Sequence, residues 1–224
     1  MAEREFLPAL RFPALTRFFD PFVKLGMPEE RFKRRLVEQA ALAGARRILD
    51  VGAGTGTLAI MLKGAVPDAD VFALDADPDI LEIAREKSER AGAEVRFVHG
   101  FSTALPFDDG SVDRVLSTLF FHHLTGEAKR DTAREIARVL KPGGELHVAD
   151  LGRPSNPLMR ALVTPVRVFD GFEQTRDNVN GALPEIFEQA GLEQASERDR
   201  FRTAVGTVAL YSATRPRGRR RRRR

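Results

Sequence analysis

The sequence predicts an α/β protein, a doubly wound, mostly parallel sheet wrapped by helices. Three observations predict it. Between residues 46 and 150, short apolar runs rich in β-branched residues alternate with amphipathic stretches of helical spacing. The first of these runs leads straight into a glycine loop and then a helix. Two last β-rich runs, at 195–202 and 203–214, are joined by a short turn, so the sheet is expected to end in a hairpin.

The elements follow in order. Two helical pieces are expected first, at 14–25 and 28–42, the former carrying Phe18, Phe19 and Phe22. Strands are expected at 46–51, 71–75, 95–99, 112–118 and 145–150. Asp77 and Pro78 open a helix that runs to about Ala91, with Ile80, Leu81, Ile83 and Ala84 facing inward, and Gly92 ends it. A second helix starts at Gly126 and repeats Ala133, Ile136, Ala137 and Leu140 at helical spacing, before Lys141-Pro142-Gly143-Gly144 stops it. The alternation then pauses for about thirty residues rich in Pro, Asn and Gly, longer than ordinary connections. A helix at 183–190 precedes the hairpin, in whose second strand Val205, Thr207, Ala209 and Tyr211 alternate. This reading gives an N-terminal helical cap over 1–45, a main domain over 46–214 with an insert at 151–181, and a disordered Arg-rich tail over 215–224.

Composition narrows the chemistry. The chain has 224 residues and no cysteine, which removes disulfides, thiolate metal sites and cysteine nucleophiles. No apolar run reaches the length of a membrane span and the first residues do not read as a signal peptide, so a cytoplasmic protein is expected. The net charge of +4 hides an asymmetry. Eight arginines lie in the last ten residues, which leaves the rest of the chain at −4 and gives the fold itself no basic face for nucleic acid. The arginine run could hold phosphate backbones nonspecifically.

The most informative stretch is Ile48-Leu49-Asp50-Val51-Gly52-Ala53-Gly54-Thr55-Gly56-Thr57-Leu58. Glycines let the backbone turn tightly and approach a ligand, and the helix that follows offers free N–H groups. The dinucleotide fingerprint needs a third glycine where this chain has Thr57, which disfavours a nicotinamide cofactor. Asp75 ends the second strand 23 residues after Gly52, where a carboxylate can accept from ribose hydroxyls.

With Leu74-Asp75, Leu105-Pro106-Phe107-Asp108-Asp109 and Arg138-Val139-Leu140-Lys141-Pro142-Gly143-Gly144 added in this order, the sequence resembles the class I S-adenosylmethionine-dependent methyltransferases, in the branch of the ubiquinone and menaquinone biosynthesis enzymes. The resemblance covers about half the chain. It implies a Rossmann-like seven-stranded sheet, mostly parallel with an antiparallel last strand. It implies that Gly52, Ala53, Gly54 and Gly56 line the methionine part of the cofactor and that Asp50 orients its amino group. Asp75 would take the ribose hydroxyls and Ala76 would lie beside the adenine. Where many relatives place an acid after the third strand this chain has Phe101, so adenine would rest on apolar contact and backbone groups, with Ser102 close by. Ser117 and Thr118 would border the sulfonium and the acceptor.

For the acceptor, the candidate bases are His122 and His123, which follow the fourth strand; the alternative is that they shape the loop by bonding to the backbone. Asp150 ends the fifth strand as a structural or orienting acid. Nucleobase amino-methylation and cysteine-dependent cytosine methylation lack their residues here, and the clustered strand-end acids of metal-assisted transfer are not seen, so no metal is expected. A small-molecule acceptor remains, covered by the N-terminal helices and the insert with Phe169 and Phe172. The other readings are a nucleic-acid-associated methyltransferase targeted by the tail, a binding protein without catalysis, and, remotely, a nicotinamide oxidoreductase.

Overall fold

A computed structural model describes residues 29–217. The predicted helix at 14–25, Phe18, Phe19 and Phe22, and the arginines from Arg219 onward lie outside the described residues.

The chain folds as α1 (Glu29–Gln39), β1 (Arg47–Val51), α2 (Thr57–Ala65), β2 (Asp70–Asp75), α3 (Pro78–Arg90), β3 (Val95–His99) and β4 (Val112–Thr118). A 3₁₀ turn (Phe121–His123) and α4 (Gly126–Val139) lead to β5 (Leu140–Leu151). Three short helices fill the insert: α5 (Pro157–Leu162), α6 (Thr164–Asp170) and α7 (Phe172–Asn180). The chain ends with α8 (Leu183–Gln189), β6 (Glu193–Thr203) and β7 (Gly206–Thr214).

The seven strands form one sheet in the order β3-β2-β1-β4-β5-β7-β6. Pairing is parallel from β3 to β5, and β7 runs antiparallel to both β5 and β6. The winding reverses between β1 and β4, so the crevice where open α/β sheets hold ligands lies at the carboxyl ends of these two strands.

Both faces are covered. On one face Leu49, Val51, Val115 and Leu146 pack with Ile136 and Val139 of α4 and with Leu183 and Phe187 of α8. On the other, Ile48, Val71 and Leu116 pack with Phe32 and Leu36 of α1 and with Leu58 and Leu62 of α2. Burial on both sides is why Ile48, Leu49 and Val51 of β1 are apolar whichever face they point to.

The structure corrects four expectations. Ile83 is 50% exposed while Leu81 and Ala84 are buried, because a step of two residues turns a side chain about 200° around a helix. Residues 206–211 of β7 are all buried, since Ala209 and Tyr211 enter the core on one face of the sheet and Val208 and Leu210 the core on the other. β5 starts at Leu140, through the predicted stop: Leu140 pairs with Val112, and Gly143 and Gly144 exchange backbone hydrogen bonds with Arg215. Arg215 therefore belongs to the fold and not to a disordered tail, and its guanidinium also donates to the carbonyls of Arg138 and Leu140.

Candidate functional site

The glycine loop carries the chain from β1 into α2 with three left-handed residues, Gly52 (φ 70°), Gly54 (φ 51°) and Gly56 (φ 74°). A side chain at Gly52 would run into the ring of Phe120, 2.2 Å from an added Cβ. At Gly54 an added Cβ would meet nothing within 4 Å, so the loop leaves open space in front of its backbone. Two carboxylates flank this space. Asp75 is half-buried at the end of β2, where Gly54 N–H donates to it at 2.8 Å and Asp77 N–H at 3.1 Å. Asp77, not Asp75, caps α3 by accepting from Asp79 and Ile80.

Asp50 is fully buried and neither of its oxygens has a hydrogen-bond partner among the described residues. Burial pushes its pKa up to about 7 and Asp75 adds to the rise, against the pull of Lys33 and, more weakly, of the Ala59 backbone N–H, which faces the carboxylate without reaching hydrogen-bond geometry. A buried carboxylate with no donor costs several kcal/mol unless a cation or donor meets it. Asp50, the open glycine loop and the preset Asp75 carboxylate fit an aminoacyl nucleoside, with its amino group, close backbone contact and ribose.

Other predicted cofactor residues are placed differently. The Ser117 hydroxyl is buried and donates to the Val51 carbonyl at 2.7 Å, tying β4 to the loop. The Ser102 hydroxyl is buried against Thr132 of α4 at 2.8 Å, so its hydrogen bond is already made within the fold. Ala53 and Ala76 stand with the glycines and Asp75 at the strand ends, and Phe101 follows β3 with 39% of its surface exposed.

The second half of the site is built on Asp150. Its Oδ2 accepts from Phe120 N–H at 2.9 Å and Phe121 N–H at 2.7 Å, and its Oδ1 meets Leu151 N–H, the Asn178 amide and His122 Nδ1 at 2.7, 3.0 and 2.6 Å. These bonds hold the 3₁₀ turn next to Leu119, whose left-handed φ of 52° is a strained conformation for such a residue. Burial acts to raise the Asp150 pKa, but His122 and the backbone donors hold it below the ordinary carboxylate value. Conversely, burial acts to lower His122 while Asp150 and Asp170 hold it above the usual histidine value.

His123 lies beside His122 with ring centres 4.0 Å apart and planes tilted by 42°, and keeps 42% of its side chain exposed. Asp170, at the end of α6, faces both histidines: its oxygens lie 3.7 Å from His122 Nε2 and 3.6 Å from His123 Nδ1. Lys129 of α4 is fully buried, bonds the Gln174 carbonyl and lies 3.7 Å from Asp177, which anchors α7. Asp170, Asn178 and Lys129 were missed by the sequence reading. The only signal was the polar content of the insert, and Lys129 looks like part of a solvated helix face.

A separate surface cleft lined by Lys63, Asp70, Arg85 and Arg96 lies at the amino ends of β2 and β3 and touches none of these groups.

Residues 48–144 match a family model described as a methyltransferase domain. The demethylmenaquinone methyltransferase of Clavibacter sepedonicus is 35% identical over 80% of this chain and 77% of its own length. That of Thermus thermophilus is 43% identical, but the match spans 55% of this chain and little more than half, 56%, of that protein. Among solved structures, YcgJ of Bacillus subtilis shares the fold at 19% identity with a TM-score of 0.67, covering 85% of this chain and all of its own. A relative this similar along three quarters of its length, together with a glycine loop and acid pair shaped for the cofactor, leaves one conclusion: the chain belongs to the S-adenosylmethionine-dependent methyltransferases.

Proposed function

We propose that this enzyme methylates a small acceptor with a hydroxylated ring on an apolar body, of the kind that the names of its demethylmenaquinone-methylating relatives indicate. The observation that carries this reading is the acceptor side itself. Polar groups converge from His122, His123 and Asp170, two residues from the Phe120 ring that packs on Gly52, while Leu158, Val168 and Phe172 of the adjoining insert are exposed apolar side chains. A polar floor with an apolar wall suits a ring that carries oxygen on one side.

S-adenosylmethionine, when bound, supplies an electrophilic methyl group. The chain's residues bind and orient it: Asp50 would take the amino group, Gly52, Ala53, Gly54 and Gly56 would admit the methionine part, Asp75 the ribose hydroxyls, and Ala76 and Phe101 the adenine. Ser117 acts by fixing the loop through Val51, and Ser102 by tying the segment after β3 to Thr132 of α4. Asp150 holds His122 in one orientation toward the acceptor side, and the insert at 151–181 with the cap at 1–45 would exclude water.

No helix among the described residues is long and apolar enough to cross a membrane, and the reading includes a cytoplasmic site of action and loose contact of the arginine tail with polyanions. Incubation with labelled cofactor and a demethylated naphthoquinol tests it. A product one methyl heavier is expected. No transfer to that ring, or labelled RNA or DNA instead, would overturn it.

A further inference from the structure

We propose that His122, His123 and Asp170 form a binding site for one divalent transition ion of the zinc class. The inference rests on the acceptor reading above for what the ion does, but not for whether it binds. The three side chains each offer a ligand atom, and those atoms lie within 4.8 Å of one another. Zinc bonds of about 2.0–2.1 Å in tetrahedral array place ligand atoms roughly 3.4 Å apart. Asp170 Oδ2 stands 3.7 Å from His122 Nε2 and its Oδ1 3.6 Å from His123 Nδ1, so each histidine faces one oxygen of the carboxylate, and a modest inward shift of the three groups would bring one oxygen and two ring nitrogens to that spacing.

The support behind the first histidine has the form that metal sites use. A ligating imidazole commonly gives its other ring nitrogen to a carboxylate, which fixes the ring and its tautomer. Here His122 Nδ1 meets Asp150 Oδ1 at 2.6 Å, and Asp150 is itself held by Phe120, Phe121, Leu151 and Asn178. His122 Nε2 is thereby aimed at Asp170. His123 is on the exposed side of the pair, so an ion and a further ligand can reach the group from outside.

Two imidazoles and one carboxylate suit zinc-class ions, and three protein ligands leave a fourth position open. An acceptor hydroxyl bound there would release its proton to water more readily, as metal-bound water does. The strand ends alone hold no cluster of acids, which is why the sequence predicts no metal. Asp170 reaches the histidines from the insert instead, 20 residues after Asp150.

The test uses the full chain, stripped with a chelator. Zn²⁺ is titrated by calorimetry, Co²⁺ serves as the absorption probe, and no acceptor is present. One equivalent is expected to bind. Asp170→Asn and His123→Gln, neither of them in the core, should each weaken binding at least tenfold with the thermal midpoint unchanged, and Asp150→Asn should weaken it roughly 10- to 100-fold. Absence of binding, or binding that both Asp170→Asn and His123→Gln leave intact, overturns the site. Turnover by stripped enzyme that equals that of the loaded enzyme overturns the ion's role. Stoichiometric binding lost in these variants, with no methylation of the naphthoquinol, upholds the site and sinks the acceptor reading alone.

Discussion

The two halves of the crevice are built from different materials. The half proposed for the cofactor, from β1 to α3, rests on backbone, left-handed glycines and N–H groups, with the carboxylates of Asp50 and Asp75 beside the loop. The acceptor half is made of side chains from three separate elements, with His122 of the 3₁₀ turn and Asn178 of α7 both bonding Asp150 of β5. One half is shaped by what is absent from its residues, and the other by what its residues bond. The first should therefore tolerate loss of a polar group with a local loss of affinity, whereas the second should lose its shape.

Asp150→Ala makes the sharpest cut between them. It removes the acceptor for three backbone N–H groups, His122 and Asn178 inside a fully buried region, so unfolding free energy should fall by about 3–5 kcal/mol. Denaturant unfolding measures it. A loss under about 1 kcal/mol would mean that the turn keeps its shape unaided, and the contrast between the halves would disappear.

Asp50 tests the cofactor half through pH. Its folded pKa of about 7 lies above the ordinary 3.8, so the neutral form is the one the fold favours. The stability this contributes is complete below about pH 4 and is lost as pH rises toward 7. Without cofactor, Asp50→Asn should therefore gain on the wild type over that window, by at most about 4 kcal/mol for three pKa units. Thermal midpoints across pH 4 to 8 read the difference. Saturating cofactor should flatten it if the carboxylate meets the amino group; a curve that is the same for both proteins would count against the orphaned carboxylate.

Asp75→Ala should weaken cofactor binding by about 1.5–3 kcal/mol, since hydrogen bonds from hydroxyls to a charged acceptor are lost. Calorimetry with S-adenosylmethionine gives the value. An unchanged affinity would remove the ribose assignment and with it the claim that this half works by preset backbone and acid.

The same difference explains what was legible in the sequence. Glycine spacing, an acid at a strand end and Asp77 before Pro78 are local patterns, so β1 to α3 and their carboxylates were readable from residue order, as were β3 and β4 to the residue. The hairpin at the end was readable from its turn, although its place inside the sheet was not. Asp150 was visible as an acid at a strand end, but nothing local says that it gathers five donors. Asp170 and Lys129 belong to contacts fixed only when α6 and α7 pack on the 3₁₀ turn and α4, and no periodicity encodes that. Ile83 differs for a simpler reason: it is apolar, yet it lies two residues, about 200° of helix, from the buried Leu81.

The smallest effect is expected at the wall of the acceptor half. Phe172 is 53% exposed, and the Arg167 guanidinium lies 4.7 Å from its ring centre. An exposed cation–π pair contributes about 0.5–1 kcal/mol, so Phe172→Ala should lower stability by no more than about 1 kcal/mol. If the ring forms part of the wall over the acceptor, loss of its apolar contact should raise the acceptor KM by roughly three- to tenfold, which corresponds to about 1 kcal/mol. Cofactor affinity should not move, because Phe172 belongs to the insert and its ring is paired with Arg167 of α6, away from the glycine loop in the chain. Steady-state kinetics varied in acceptor, beside calorimetry with the cofactor, separates the two. An acceptor KM equal to that of the wild type, with cofactor binding weakened, would place Phe172 on the cofactor side and reverse the division between the two halves.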